Sequence, residues 1–197
     1  MKNNAVNKII GLIFLGLSCI FSSCAYDAIR DTDYPDQKIY MPSAYDAVYD
    51  VSDVSDLPPE HPSNSEPYRF QTDEANGEFI IPLGIYRAGV DKDGALTVTV
   101  TANTDTVDVL IDENIFDPYS NGSNVELLPQ AEYSFPESLS IADEEDHESF
   151  SLIVNLEFLR ANNSTSHAVG ITISGNEAEV NPDLSTTVVF IPAGIVE

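Results

Sequence analysis

The sequence predicts an all-β fold, an immunoglobulin-like β-sandwich behind an export signal. Short runs of alternating apolar residues recur from Phe79 to Phe190, and turn-forming Gly, Pro, Asn and Asp separate them. No stretch has a helical apolar period long enough for an α/β fold. Evenly spaced short strands of this kind, about seven here, are typical of a sandwich. We expect one such domain over residues 38–197, after a leader at 1–23 and an acidic tether at 24–37.

The leader resembles a bacterial lipoprotein signal peptide. Lys2 and Lys8 supply its positive start, and the apolar run 9–21 has 13 residues, which is short for a bilayer span. Two serines precede Cys24, so a peptidase could cut there and the Cys24 thiol would carry the lipid. Cys19 is a poorer anchor because a bulky leucine stands where a small residue is preferred. An ordinary secretory signal is the alternative.

Lipidation at Cys24 would determine the location of the protein. Two or more acyl chains hold a protein stably on a membrane. We therefore expect an outer-membrane lipoprotein of the cell envelope, exposed at the surface, with the periplasmic face as the other option. Cleavage would leave Cys24 as the single cysteine, so neither a disulfide nor a cysteine metal site is expected, and no cofactor is predicted.

The net charge restricts the partners. The chain has 33 acidic and 8 basic residues and a net charge of −25, which becomes −27 without the leader. Such a surface repels nucleic acid, so nucleic-acid binding is excluded. A solvated acidic surface, calcium sites and a cationic partner are the remaining interpretations. The acidic run 143–146 is either a solvated turn or a calcium site, and no metal site is assigned.

The strands are predicted in chain order. The first, Ile39–Met41, ends at Pro42, and residues 43–67 are predicted to be a long loop because prolines crowd its end. Phe79 to Ile85 alternate clearly, and Pro82 predicts an edge strand or a bulge there. Residues 91–94 are predicted to form a hairpin loop to the next strand, Leu96–Ala102.

The second half is predicted with the same alternation. Residues 107–111 could continue as a strand, and 112–119 as one or two helical turns with Asp112 as the cap. The longest alternating run is Ser149–Phe158, in which Leu156 belongs to the buried face. Shorter apolar alternations predict the remaining strands, at residues 139–141, 169–173 and 188–190.

No enzyme is predicted. The sequence contains no His-Glu-x-x-His or Gly-x-Ser-x-Gly motif and no phosphate-binding glycine loop. His61 and His147 lie in polar segments and are expected to be solvated, and His167 begins a strand. Nothing singles out a pair of carboxylates of the glycosidase type among the 33 acids.

Together these features resemble the Bacteroidota lipoprotein domain known as domain of unknown function 1735. The resemblance covers most of the mature chain and rests on Cys24, Ile39-Tyr40-Met41, the strand 96–102, the segment from Asp112-Glu113-Asn114 to Tyr119, and Leu127-Leu128-Pro129 with Tyr133. It implies an immunoglobulin-like fold and a role in surface glycan handling. The segment His167–Ile171 departs from the family pattern, and the resemblance carries over no binding residue.

Four tyrosines are candidates for a sugar-binding groove: Tyr45, Tyr49, Tyr68 and Tyr119. Aromatic faces stack on sugar rings, although core or loop packing is the alternative for each, and the absence of Trp counts against a strong glycan platform. Thr106, within Asp105-Thr106-Val107, resembles the O-glycosylation motif of exported Bacteroidota proteins.

The predicted function follows from the address, the fold and the resemblance. We expect a non-catalytic binding or spacer module in surface polysaccharide acquisition, beside an outer-membrane transporter or other envelope proteins. The alternative is a structural or adhesive envelope lipoprotein, such as a fimbrillin-like subunit, in which edge strands pair with partners.

Overall fold

The computed structural model describes residues 36–52, 69–89, 92–175 and 177–196, and Cys24, Tyr68 and the other residues outside these ranges are not described. In the described part, two six-stranded sheets form a β-sandwich. The strands are β1 Lys38–Tyr40, β2 Tyr49–Asp50, β3 Gln71–Asp73, β4 Glu78–Ala88, β5 Leu96–Ala102, β6 Asn124–Leu127, β7 Tyr133–Ser134, β8 Ser138–Ile141, β9 His147–Asn155, β10 Thr165–Gly175, β11 Glu179–Val180 and β12 Thr186–Ile191.

Helices occupy several of the connections. The α-helices are α1 Thr104–Asp112, α2 Asp117–Ser120 and α3 Leu156–Ala161, and 3-10 helices lie at Pro42–Ala44, Gln130–Glu132 and Pro182–Leu184. The predicted all-β sandwich is confirmed. The described residues contain more than the expected seven or so strands, because the extra strands are two to four residues long and too short to show an alternation.

The first sheet is built around β4. Its order is β11-β1-β4-β9-β7, and β9 pairs with one side of β4 from Glu78 to Tyr86. The other side of β4 is shared, with β3 at residues 78–80 and β1 at residues 86–88. Pro82 lies in the gap between these two partners, where a missing N–H disturbs no ladder on that side. The prediction of an edge strand or a bulge is therefore wrong: β4 is central, its register with β9 is uninterrupted at Pro82, and the proline lies beside a local gap on the other side.

The second sheet is built around β10 in the same way. Its order is β2-β12-β10-β5-β8. β12 pairs with one side of β10, while β6 and β5 share the other side in succession. The predicted hairpin at 91–94 is wrong, because β4 belongs to the first sheet and β5 to the second. Alternation identifies the buried face of a strand, but it does not identify the neighbour with which the strand pairs.

The main core lies between the sheets. The inward residues of β4 (Phe79, Ile81, Leu83 and Ile85) are fully buried, and Leu152 and Val154 of β9 are buried beside them. Burying each such side chain contributes about 1.5–3 kcal/mol. The alternation read from the sequence therefore corresponds to the inner faces of the sandwich.

A second apolar cluster lies on the other face of the second sheet. Val107 of α1 and Phe116 pack there against Val188 and Phe190 of β12, with the Phe116 and Phe190 ring centroids 5.5 Å apart. The second sheet is thus covered on both faces, which explains why β10 and β12 have few exposed positions.

The segment that covers this face was assigned incorrectly from the sequence. Residues 107–111 belong to helix α1, not to a strand, and Asp112 is the last residue of α1, not a cap. Asn103 caps the helix, because its side-chain oxygen accepts the Thr106 N–H at 3.0 Å. The apolar residues 107, 110 and 111 then share one helical face toward the sheet.

Two other boundaries differ from the prediction. β9 ends at Asn155, whose side chain accepts the N–H groups of Glu157 and Phe158 and starts α3. Leu156 is therefore helical, although it is fully buried as expected. The described part of the predicted 43–67 loop contains a 3-10 helix and β2, and its residues 53–67 lie outside the described ranges.

Candidate functional site

Three rings form a row on the outer face of the first sheet. Tyr40, Tyr86 and His147 pair in register across β1, β4 and β9. Since Ile39 and Ile85 point into the core, strand alternation directs the next residue of each strand outward. Ring centroids are 5.7 Å apart for Tyr40 and Tyr86, and 5.5 Å apart for Tyr86 and His147, with interplanar angles of 21° and 27°. We call these three residues the aromatic row.

The aromatic row is accessible to solvent. Both tyrosines are half-buried, and the His147 side chain is 46% exposed. Adjacent strands lie about 4.8 Å apart, so a row across three strands is roughly 10 Å long. Cross-strand aromatic pairs also stabilise the sheet, which gives the rings a structural role beside any binding role.

A carboxylate lies at the end of the aromatic row. Asp146 accepts hydrogen bonds from His147 Nδ1 at 2.8 Å and from Lys92 Nζ at 3.0 Å. The bond from His147, followed by that from Lys92, lowers the pKa of Asp146 to about 2. Asp146 is therefore ionised at every physiological pH.

The same carboxylate acts on both tyrosines. Burial, and secondarily the charge of Asp146, raises the pKa of Tyr40. The pKa of Tyr86 is raised in the same order of causes, with a smaller contribution from Tyr40. Both phenols therefore keep their protons at physiological pH and can donate hydrogen bonds to a ligand.

Buried Arg87 holds the turn that carries Asp146. Its guanidinium donates to the carbonyl oxygens of Glu145, Gly94 and Ala142, at 2.5 to 3.3 Å. Its backbone N–H donates to the carbonyl of Asp146 at 2.8 Å. Arg87 follows Tyr86 in β4, so one strand supplies both a ring of the row and the anchor of the adjacent turn.

The acidic run 143–146 is bound largely to the protein itself. Asp143 Oδ1 accepts the Gly94 N–H at 2.7 Å, and the Glu144 N–H donates to the Lys92 carbonyl at 3.2 Å. Across the ranges that the structure describes, no group of three or more His, Cys, Asp or Glu residues is arranged to hold a metal ion.

The three nominated tyrosines that the structure describes do not form one groove. Tyr45 is 84% exposed, whereas Tyr49 is only 2% exposed and lies beneath Arg69, whose Cζ is 4.5 Å from the ring centroid. Tyr119 is half-buried beside Phe190 in the second apolar cluster. A buried ring cannot face a sugar, so Tyr49 is corrected to a core residue. Tyr68 and Cys24 lie outside the described residues.

Thr106, the nominated glycosylation site, lies in the first turn of α1. It is half-buried, and the following residue, Val107, is fully buried against the second sheet. A glycosyltransferase would need access to a hydroxyl in a regular helix. Glycosylation of Thr106 stays a prediction.

Sequence reasoning missed the aromatic row, although part of its signal was present. Tyr40 and Tyr86 each follow a buried isoleucine in a strand, which is the pattern of a large ring on the solvent face. The alternation does not reveal the pairing register of β1, β4 and β9. This register brings residues 40, 86 and 147 side by side from distant parts of the chain.

An acidic cavity of about 350 Å³ lies where the segments that lead into β1, β5 and β11 meet. Four of its lining residues are the acids Asp36, Asp93, Glu177 and Glu179. Glu177 accepts the Thr97 N–H at 2.6 Å, and Glu179 pairs with Lys38 at 3.1 Å. Two of the four acids are therefore already bound within the protein.

In the described part of the chain, no helix has the length and apolar character needed to cross a membrane.

Residues 34–180 match a family model described as "-like, N-terminal domain". No curated protein matches the chain. Among solved structures, a Bacteroides ovatus protein provisionally named for carbohydrate binding has a TM-score of 0.50 and 14% identity over 80% of this chain and 37% of its own. This similarity supports the sandwich fold.

Other similar structures also come from Bacteroides. A Bacteroides ovatus multidomain protein that includes domain of unknown function 1735 has a TM-score of 0.42 and 19% identity, over 61% of this chain and 36% of its own. An auxiliary nutrient binding protein of Bacteroides thetaiotaomicron has a TM-score of 0.43 and 17% identity, over 61% and 40%. This chain spans less than half the length of these three proteins. The family-model match covers most of the chain and shows that the chain belongs to this family of N-terminal domains.

Proposed function

We propose that this protein is a non-catalytic carbohydrate-binding module of the bacterial cell envelope, and that the aromatic row is its binding surface. The proposal rests on the aromatic row, because accessible rings, phenolic hydrogen-bond donors and an ionised hydrogen-bond acceptor lie together on one sheet. Rings stack on the apolar faces of sugars, and carboxylates accept hydrogen bonds from sugar hydroxyls. Two of the similar Bacteroides proteins are named for carbohydrate or nutrient binding, which is in keeping with this function.

The proposal includes the address predicted from the leader. Acyl chains on Cys24 would hold the protein on the outer membrane, with its sandwich at the cell surface beside an outer-membrane transporter. The acidic segment from residue 24 to 37 would serve as the tether. The module would keep polysaccharide near the cell, while other proteins carry out cleavage and import.

The structural or adhesive alternative has less support. A fimbrillin-like subunit would need a terminal strand that can be exchanged with a partner. The last described strand, β12, lies between β2 and β10, and five of its six residues are buried. Exchange of β12 would therefore open the core.

Tyr86→Ala tests the proposed site. The protein, purified in detergent, is screened on a glycan array, and each positive glycan is then titrated against the variant. We expect Tyr86→Ala to weaken binding at least tenfold, since Tyr86 is the central ring of the row. Tyr45→Ala is the matched control, because Tyr45 is highly exposed and lies outside the row. Equal binding by the protein and Tyr86→Ala would place the sugar elsewhere.

A further inference from the structure

The charged groups around the aromatic row restrict the class of sugar that can bind. Asp146 is 45% exposed, and each of its oxygens accepts one hydrogen bond from the protein. An ionised carboxylate has about four lone-pair sites. Acceptor capacity therefore remains on Asp146 for the hydroxyl groups of a ligand beside the rings.

The basic side chains near the row already have partners. Lys92 is bound to Asp146, and Lys38, which precedes the row in β1, is bound to Glu179 at 3.1 Å. Buried Arg87 donates to three backbone carbonyls. In the described surroundings of the row, the basic side chains are thus either paired with a carboxylate or buried, so they present no uncompensated positive charge to an anionic ligand.

The net charge of the whole chain also disfavours the binding of an anionic ligand. The net charge of −25 gives the chain an overall negative potential that would repel a polyanion, and more strongly at low ionic strength. A carboxylate or sulfate brought beside Asp146 would meet a like charge at close range. A neutral sugar has no such cost and can donate hydroxyl hydrogens to Asp146.

We propose that the aromatic row selects neutral polysaccharides, with Asp146 as the acceptor of their hydroxyl groups, and that it rejects uronic-acid and sulfated polysaccharides. This inference rests on the proposed function, because it assigns a ligand class to the same surface. The row spans three strands, so the bound segment is a short run of sugar units that crosses the strands.

The test offers each sugar backbone with and without charge. The probes are mannan, xyloglucan and dextran, each beside its carboxymethylated derivative, and methyl-esterified homogalacturonan beside its de-esterified form. Affinity electrophoresis and titration are run at about 20 mM and at about 500 mM NaCl, because the screening of charges by salt increases strongly between these two concentrations. For at least one pair we expect Tyr86-dependent binding of the neutral member. The charged member should bind at least tenfold more weakly at low salt, with a smaller difference at high salt.

Asp146→Asn separates the acceptor role from general repulsion. Asn has nearly the same shape as Asp but no charge. We expect the substitution to weaken binding of the neutral polysaccharide at least threefold. We also expect it to reduce the difference in affinity between the neutral and the charged polysaccharide of a pair. Asp108→Asn is the control, because it removes the same charge from the exposed face of α1, away from the row. Equal effects of both substitutions would overturn the role of Asp146.

The outcomes distinguish the two proposals. Tyr86-dependent binding of a charged member that equals or exceeds that of its neutral partner would overturn the selectivity and leave the binding site intact. Binding of either member that Tyr86→Ala does not change would overturn the proposed site, and the selectivity with it. No binding to any probe would overturn both.

Discussion

The backbone of Asn103 lies directly over Gly170 of β10. The Asn103 N–H donates to the Gly170 carbonyl at 2.8 Å, and a Cβ atom at position 170 would overlap the carbonyl oxygen of Asn103. Asn103 also caps α1, so the start of the helix is fixed on the sheet at Gly170, where the strand lacks a side chain. This contact explains why the apolar run 167–171 is interrupted by glycine.

Gly170→Ala should destabilise the fold. The added methyl group must displace the Asn103 backbone, and overpacking of this kind costs about 1–3 kcal/mol. Denaturant unfolding measures the change, and Ser149→Ala, at an exposed strand position, is the control. An unchanged midpoint for Gly170→Ala would mean that α1 does not approach the sheet this closely.

Arg87→Met should destabilise the end of the sandwich that carries the aromatic row. The substitution keeps much of the side-chain length but leaves the carbonyls of Ala142 and Glu145 without their donor. Since hydrogen bonds to charged groups contribute about 1.5–3 kcal/mol each, we expect a loss of at least about 2 kcal/mol in denaturant unfolding. Arg160→Met, which breaks an exposed pair with Glu74, should change stability far less. If the two losses are similar, Arg87 does not hold the turn.

Acid should destabilise the protein through His167. The ring is 3% exposed, neither of its nitrogens has a hydrogen-bond partner among the described residues, and desolvation lowers its pKa, although nearby Glu126 opposes this shift. The unfolded chain takes up a proton near pH 6.5 and the folded chain only at lower pH, so this residue reduces stability as the pH falls below about 6.5.

His167→Phe should remove this dependence on pH. Chemical unfolding of the protein and the variant is compared at pH 8, 7, 6 and 5, and the stability of the variant relative to the protein should rise toward pH 5. The ring of Phe158 lies 5.0 Å from His167 and would pack against the new phenyl ring. Parallel stability curves from pH 8 to pH 5 would show that His167 titrates normally in the folded state.

Leu156→Asp should unfold or nearly unfold the domain. Leu156 is fully buried at the start of α3, and loss of a core leucine costs about 2–5 kcal/mol before the burial of a carboxylate is counted. Glu157→Gln, one residue later on the exposed face, should be tolerated. Denaturant melts of both variants decide the question, and comparable losses would contradict the assigned burial.

Cys24→Ala should abolish lipidation, because cleavage at this site leaves no other cysteine to carry the acyl groups. Metabolic labelling with a radioactive fatty acid and membrane fractionation measure the effect. Cys19→Ala is the matched control and should be labelled normally. Full labelling of Cys24→Ala would move the anchor or remove it from the proposal.

The sequence by itself determined the fold class and much of the core. Alternation placed Phe79, Ile81, Leu83 and Ile85 on one buried face, because successive side chains of a strand must point to opposite sides. The same rule identified Leu156 as buried. The rule also extended the strand through Leu156, whereas the strand ends at Asn155. A short helix that follows a strand can keep one residue in the core without leaving a clear break in the pattern.

Only the tertiary structure decided the pairing and the candidate site. Whether residues 107–111 extend along a sheet or form a helix over it depends on the Asn103 cap and on the apolar surface of β12. The aromatic row depends on strand register, because residues 40, 86 and 147 meet through hydrogen bonds between backbones that are alike at every position. Local sequence sets which way a side chain faces, whereas the packing of the whole chain sets which side chains become neighbours.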